Sequence, residues 1–197
     1  MEIGDGRYFL HSGCYRAPCL GLSQGSQSNH RCVAKRVDRA IGAGVYVEFE
    51  NGRNEVFDQV ALTIAAPYAA RICLQLSEDE RSCLMGIQYQ GIICASLLWR
   101  QPLANFYVTN INDSWVPFTS VIEMSGLVDR KYFAGNTVVS LPKYVTPDDP
   151  AFSISDQEVE KTFVKALMRM YAYLSPSDLL CFRVSRVRYV LAISTLN

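Results

Sequence analysis

The passage Gly44-Val-Tyr-Val-Glu-Phe-Glu-Asn-Gly52 carries the clearest local pattern in the chain. Val45, Val47 and Phe49 alternate with Tyr46, Glu48 and Glu50, the period of a half-buried strand. Asn51-Gly52 is the strongest short-range hairpin signal, because both residues tolerate the positive φ that tight turns demand. Residues 55–64 read as the returning strand, and Ala65-Ala66-Pro67 breaks it. Just upstream, residues 33–37 suit a short strand. The chain therefore opens its ordered part with antiparallel β structure.

Further along, residues 67–76 are helix-compatible, with Pro67 acceptable in a first turn. Ser77-Glu-Asp-Glu80 fits a capping box and predicts a helix to about Met85, stopped by Gly86. Residues 87–98, 106–111, 118–124 and 137–141 read as strands, and 143–150 as a Pro/Asp-rich loop. Ser155-Asp-Gln-Glu158 repeats the capping logic. After it Val159, Phe163, Leu167, Met170 and Leu174 share one helical face, with Ser175-Pro176 as the stop. Acidic Asp156, Glu158 and Glu160 sit near the helix start and Lys165 and Arg169 further on, as the dipole prefers. Residues 179–193 form a long strand whose alternation slips at Ser185-Arg186, which predicts a bulge there. The expected class is α+β: a mixed or mainly antiparallel sheet of about six to seven strands with about three helices on one side. Residues 1–32, rich in Gly and polar residues, read as a poorly patterned arm or loop. Residues 33–197 read as a single unit, 33–66 being the strand–hairpin segment and 67–197 the helices and main sheet.

The 197 residues are 49% hydrophobic, and 19 basic residues balance 19 acidic ones. Zero net charge gives no bulk attraction to nucleic acid or an anionic membrane, and little repulsion between copies. No apolar run nears the ~20 residues that span a bilayer, and Met1-Glu2-Ile3-Gly4-Asp5-Gly6 has no leader pattern. Seven scattered cysteines, with Cys73, Cys83, Cys94 and Cys181 inside apolar runs, point to a reducing, cytoplasmic setting. His11, Cys14, Cys19, His30 and Cys32 raise the question of a metal. Their spacing lacks the tight ligand pairs of zinc sites, so they read as loop residues and no metal is expected.

Several stretches, in their order, resemble flavin-dependent amine oxidases and their phytoene-desaturase-like and protoporphyrinogen-oxidase-like relatives. The residues are Val45-Tyr-Val-Glu-Phe-Glu-Asn-Gly52, Phe57-Asp58-Gln-Val60-Ala-Leu-Thr63 and Ala65-Ala66-Pro67. They continue with Tyr89-Gln-Gly91-Ile92, Pro102-Leu103, Tyr107-Val-Thr-Asn110-Ile111 and Asp113. Pro117-Phe118-Thr119, Val121-Ile122-Glu123, Leu141-Pro142-Lys143-Tyr144 and Arg186-Val-Arg188-Tyr189 complete the series. The resemblance covers residues 43 to 193 and is to the substrate domain of that family. It implies FAD in the full-length family, but the G-x-G-x-x-G turn that seats the pyrophosphate on a helix N-terminus has no counterpart here. The C-terminal Gly-Asp segment that closes the flavin site is also missing. The expectation is a truncated relative, not catalytic alone, with no cofactor in the isolated chain.

The resemblance places a substrate pocket among Tyr89, Tyr107, Asn110, Trp115, Phe118, Glu123, Tyr144 and Arg188. Glu123, a carboxylate among Val121, Ile122 and Met124, is costly there unless paired. It could recognise an amine or work as an acid/base, or it could be a structural partner of Arg186 or Arg188, or simply face outward. Arg183, Arg186 and Arg188 could bind an anion or serve as structural partners of Glu123 or Asp129. If a flavin site is reconstituted, the resemblance puts Ala34, Val37, Thr63 and Ala65 beside it, mostly through backbone. Neither His11 nor His30 is placed for general-base chemistry, no serine sits in a nucleophile elbow, and no catalytic residue is assigned. Three readings follow: an inactive flavoenzyme relative, a stand-alone module that dimerises through the face a flavin domain would cover, and half of a split enzyme completed by a separate flavin-binding chain.

Overall fold

The computed structural model describes residues 8–11, 33–104 and 106–194. The rest of the arm, with Cys14, Cys19, His30 and Cys32, lies outside them. The chain divides into two compact units, Met1–Gln88 and Tyr89–Asn197, where the sequence pattern suggested one unit over 33–197. Each has its own hydrophobic cluster.

In the first unit, β1 (Tyr8–His11) pairs in parallel with β5 (Gln59–Leu62). Strands β2 (Ala34–Arg39), β3 (Val45–Phe49) and β4 (Asn54–Phe57) form an antiparallel meander. The alternation read in β3 holds, with Val47 and Phe49 buried. The Asn51-Gly52 turn is present, and Gly52 alone of the two takes positive φ, at 81°. Gly44 also needs its freedom: its φ is 97°, and a Cβ there would stand 2.6 Å from the Phe57 carbonyl oxygen. The returning strand expected over 55–64 is two strands instead. The chain bends at Asp58, β4 stays with β3, and β5 turns to β1. Helix α1 (Ala66–Ile72) is shorter than expected, because Cys73 leaves the helix to bridge Val37. Helix α2 (Glu78–Gly86) starts with both halves of the capping box: the Ser77 hydroxyl accepts from the Glu80 amide, and the Glu80 carboxylate accepts from the Ser77 amide.

The second unit is a five-stranded antiparallel sheet in the order β10-β6-β9-β8-β7. These are β6 (Tyr89–Trp99), β7 (Val108–Asn110), β8 (Ser120–Glu123), β9 (Thr137–Val145) and β10 (Leu179–Ala192). The expected single sheet of six to seven strands is thus three smaller sheets, and the main one is wholly antiparallel. Strand β9 runs on through Pro142 into the segment read as a loop. Helix α3 (Asp156–Met170) opens at Ser155, whose hydroxyl accepts from the Glu158 amide. It ends at Met170, before the Ser175-Pro176 stop. Val159, Phe163, Ala166 and Leu167 bury its apolar face against Ala95, Leu97, Val139 and Leu141 of the sheet. Phe118 joins them with its ring centroid 5.3 Å from that of Phe163. Strand β10 is irregular in two places, between Leu179 and Cys181 and between Val187 and Leu191, and not at Ser185-Arg186. At the second, four steps on β10 match two on β6, from Ile92 to Gln90, so β10 bulges opposite Gly91. A Cβ on Gly91 would lie 2.7 Å from the Phe152 ring and 3.1 Å from the Arg188 carbonyl oxygen. Glycine is what lets the bulged chain and the ring approach.

Candidate functional site

Successive residues of a strand face opposite sides of its sheet. On β6 the odd-numbered residues Gly91 to Trp99 are buried on the α3 side. The even-numbered ones form the other face, and the register extends that face across the sheet. Val108, Ile122, Ser140, Ser96 and Arg183 lie in one row. Ile92 stands between Tyr144 and Val187, Cys94 between Pro142 and Ser185, and Leu98 between Val138 and Cys181. Apart from buried Pro142, all of these are part-exposed or exposed. The face is an apolar floor dotted with hydroxyls and thiols, with one guanidinium, Arg183, that makes no hydrogen bond or ion pair among the described residues. It suits an amphiphilic ligand with an anionic end. Among the described residues it holds no histidine or carboxylate. Burial pushes the Cys94 thiol above its ordinary value, which keeps it a poor nucleophile at neutral pH.

The eight residues assigned to substrate contact do not converge on this face. Asn110 and Tyr144 do lie on it, both exposed. Phe118 is 3% exposed and belongs to the core. Trp115 lies on the helix side, where the Arg169 guanidinium sits 4.0 Å from its ring centroid. Tyr89 stacks edge-on with Tyr189 at 5.5 Å. The Arg188 guanidinium lies over Phe152 and donates to the Pro147 carbonyl. Tyr107, half out of the protein, accepts the Glu123 amide on its carbonyl oxygen.

Glu123 is 2% exposed, but neither Arg186 nor Arg188 meets it. Its carboxylate accepts from the Leu103 amide at 3.3 Å, the Ala104 amide at 2.9 Å and the Ser125 hydroxyl at 2.9 Å. Three donors satisfy the buried charge without a cation. The residue is a clasp on the loop after β6, with both carboxylate oxygens engaged. Arg186 instead pairs with Asp156 at 2.6 Å and donates to the Ile154 carbonyl, tying β10 to the start of α3. The structural role expected for that arginine is real, and its acidic partner is Asp156, not Glu123 or Asp129. Ser96, Ser140 and Ile122 escaped the sequence reading. Strand β6 is apolar on both faces (Ile92, Ile93, Leu97, Leu98), so its pattern does not show which side is open.

Among the positions proposed beside a flavin, Ala34 and Val37 are buried in the first unit's core. Thr63 is exposed and Ala65 caps α1. A dinucleotide needs free amides at a helix start to hold its pyrophosphate. Helix α1 has Pro67 in its first turn and only seven residues. Helix α2 opens with Glu78, Asp79 and Glu80 and has its cap groups engaged, and α3 opens with Asp156 and Glu158. Negative side chains at these starts repel phosphate, so no described helix fits the group. Among the described residues, no three His, Cys, Asp or Glu side chains come together to hold a metal. No described helix is long and apolar enough to cross a membrane.

Solved structures share this arrangement. Crystalline reduced UDP-galactopyranose mutase superposes with a TM-score of 0.64 at 15% identity, over 81% of this chain and 35% of that one. A protein from Exiguobacterium sp. 255-15 described as a protoporphyrinogen oxidase gives 0.64 at 14% identity, over 83% and 36%. The CLA-producing fatty acid isomerase from P. acnes gives 0.52 at 14% identity, over 84% and 37%. This chain has the fold of one part of those enzymes. It spans little more than a third of their length. No family model matches the sequence, and no curated protein does.

Proposed function

We propose that the second unit supplies the substrate-side sheet of a FAD-dependent oxidoreductase of the amine-oxidase type, with the flavin seated on a polypeptide segment other than this one. The observation that carries the reading is the one-sided sheet. Helix α3 closes one face, and the opposite face keeps Ile92, Leu98, Ile122, Val138 and Tyr144 part-exposed or exposed around Ser96, Ser140 and Arg183. The order of the sequence motifs and the fold likeness to enzymes that include a protoporphyrinogen oxidase support it. The described helix starts argue against a flavin held by this chain alone, and the sequence has no G-x-G-x-x-G turn. When bound, a flavin would supply the hydride chemistry. This chain would wall the substrate, exclude water and hold an anionic group at Arg183, with Asn110 and Tyr144 at the rim. A stand-alone module that buries this apolar face against a partner is the second reading, favoured by the same exposed side chains.

The test follows flavin absorbance through size exclusion, for the protein from its native source and for the recombinant 197-residue chain. Flavin should travel with the chain in native material, and the recombinant chain should be colourless. Native material without flavin ends the oxidoreductase reading. A yellow recombinant chain ends the claim that the seat lies elsewhere.

A further inference from the structure

The two edges of the main sheet are defended unequally. Strand β10 carries Arg183, Arg186 and Arg188 and a bulge that accommodates two extra residues. Charges and bulges of this kind block edge-to-edge pairing. Strand β7 has neither. From 106 to 112 the sequence is Phe-Tyr-Val-Thr-Asn-Ile-Asn, without charge or proline. Phe106 is 67% exposed and Val108 41%. The 106–107 peptide backs directly onto Gly126, next to Leu127, which is 67% exposed.

The backbone of this edge is open in a specific pattern. The Tyr107 carbonyl accepts from the Glu123 amide, Thr109 faces Val121, and the Ile111 amide donates to the Thr119 carbonyl. The odd-numbered residues therefore turn their amides and carbonyls toward β8. Those of Val108 and Asn110 point away from the sheet, and they form no hydrogen bond among the described residues.

We propose that this edge pairs with the same edge of a second copy, joining two five-stranded sheets into one of ten strands about a two-fold axis at Thr109. In that register Val108 of each copy lies opposite Asn110 of the other. Both are outward-pointing positions, so each pair exchanges two hydrogen bonds. The pairing is isologous and closes on itself. A head-to-tail join of β7 to β10 would meet the three arginines and the bulge. A peptide of another protein is less well matched, because the edge complements itself and the chain's net charge of zero opposes no second copy. The joint is the backbone edge of that sheet, and the side chains of Val108 and Asn110 at it also belong to the margin of the open face. Because the axis is perpendicular to the sheet, the two open faces lie on the same side of the dimer. The inference stands whether or not the oxidoreductase reading does.

Sedimentation of the full chain over a concentration series tests it. The wild type should be a dimer that dissociates on dilution. Val108→Pro removes an outward amide and leaves the β8 ladder intact, and Val108→Lys adds a like charge to each copy at the joint. Each should weaken the dimer by about tenfold or more. Circular dichroism checks that both variants are folded. If Val108→Pro unfolds, Val108→Lys and a cysteine trap decide the matter. In a non-hydrogen-bonded pair the facing Cα atoms are about 4.5 Å apart, so Thr109→Cys should form a covalent dimer faster than the wild type under the same oxidant. A wild type that stays monomeric, a dimer that survives both Val108 changes, or a Thr109→Cys variant that cross-links no faster than the wild type overturns the proposal.

Discussion

Glu123 shows how a charge can sit in a core without a counter-ion. Two main-chain amides and a hydroxyl hold it, and each such bond to a charged group is worth about 1.5–3 kcal/mol. Glu123→Gln puts an amide hydrogen where the Leu103 or Ala104 N–H already points. Urea unfolding should show a loss of about 2–3 kcal/mol, whatever the ligand. That the position is buried could be read from its apolar neighbours. Its partners could not, because main-chain amides some twenty residues upstream leave no mark in side-chain chemistry. Glu80 gives a prediction in pH. The Ser77 amide and then its hydroxyl hold the carboxyl below its ordinary value of 4.5. A carboxyl depressed in the folded state contributes fully above its unfolded value, and that contribution fades as pH falls through the folded one. The protection of the Ser77 amide, its exchange rate relative to an unstructured amide at the same pH, should therefore fall only on the acid side of 4.5. The cysteines also separate. Cys83 and Cys181 are exposed, although both lie in apolar runs, while burial raises the thiols of Cys73 and Cys94. Mass mapping of alkylation at neutral pH should find Cys83 and Cys181 labelled before Cys73 and Cys94.

Among the elements, those governed by local chemistry followed their sequence. Strand β3, the capped start of α2 and the amphipathic face of α3 are each set by residues within a few positions of one another. Phe163→Ala should cost about 3–5 kcal/mol, since its ring is 3% exposed among sheet and helix side chains. Where a strand's partner is distant, the pattern fails. Residues 55–64 look like one strand, yet β5 belongs with residues 8–11. The slip at Ser185-Arg186 suggested a bulge there, yet the bulge sits opposite Gly91, where the absence of a Cβ admits Phe152 and the Arg188 carbonyl. Gly91→Ala should overpack that point and lower stability by about 1–3 kcal/mol, read as a shift in the urea midpoint.

Across the whole molecule, the pattern of strands and helices indicated an α+β protein and the composition a real core, but the division into two units and three sheets depends on long-range pairing. Cooperative unfolding of residues 89–197 expressed alone would check that the second unit is self-sufficient, as its own cluster of buried side chains leads us to expect. The candidate site was legible only at its rim. Asn110 and Tyr144 reached the open face, but Phe118 and Glu123 went to the core side because the alternation of a strand flanked by apolar residues on both faces does not say which face is wet.

The clasp at Glu123 has a consequence for how this chain can drift. A carboxylate that recognises amide hydrogens is blind to what side chain those amides carry. Position 104 can therefore be rewritten freely so long as it is not proline, whereas position 123 is fixed. In a saturation library selected for folding, Ala104 should tolerate nineteen of twenty residues, and the loop it belongs to could vary in lettering while keeping its place.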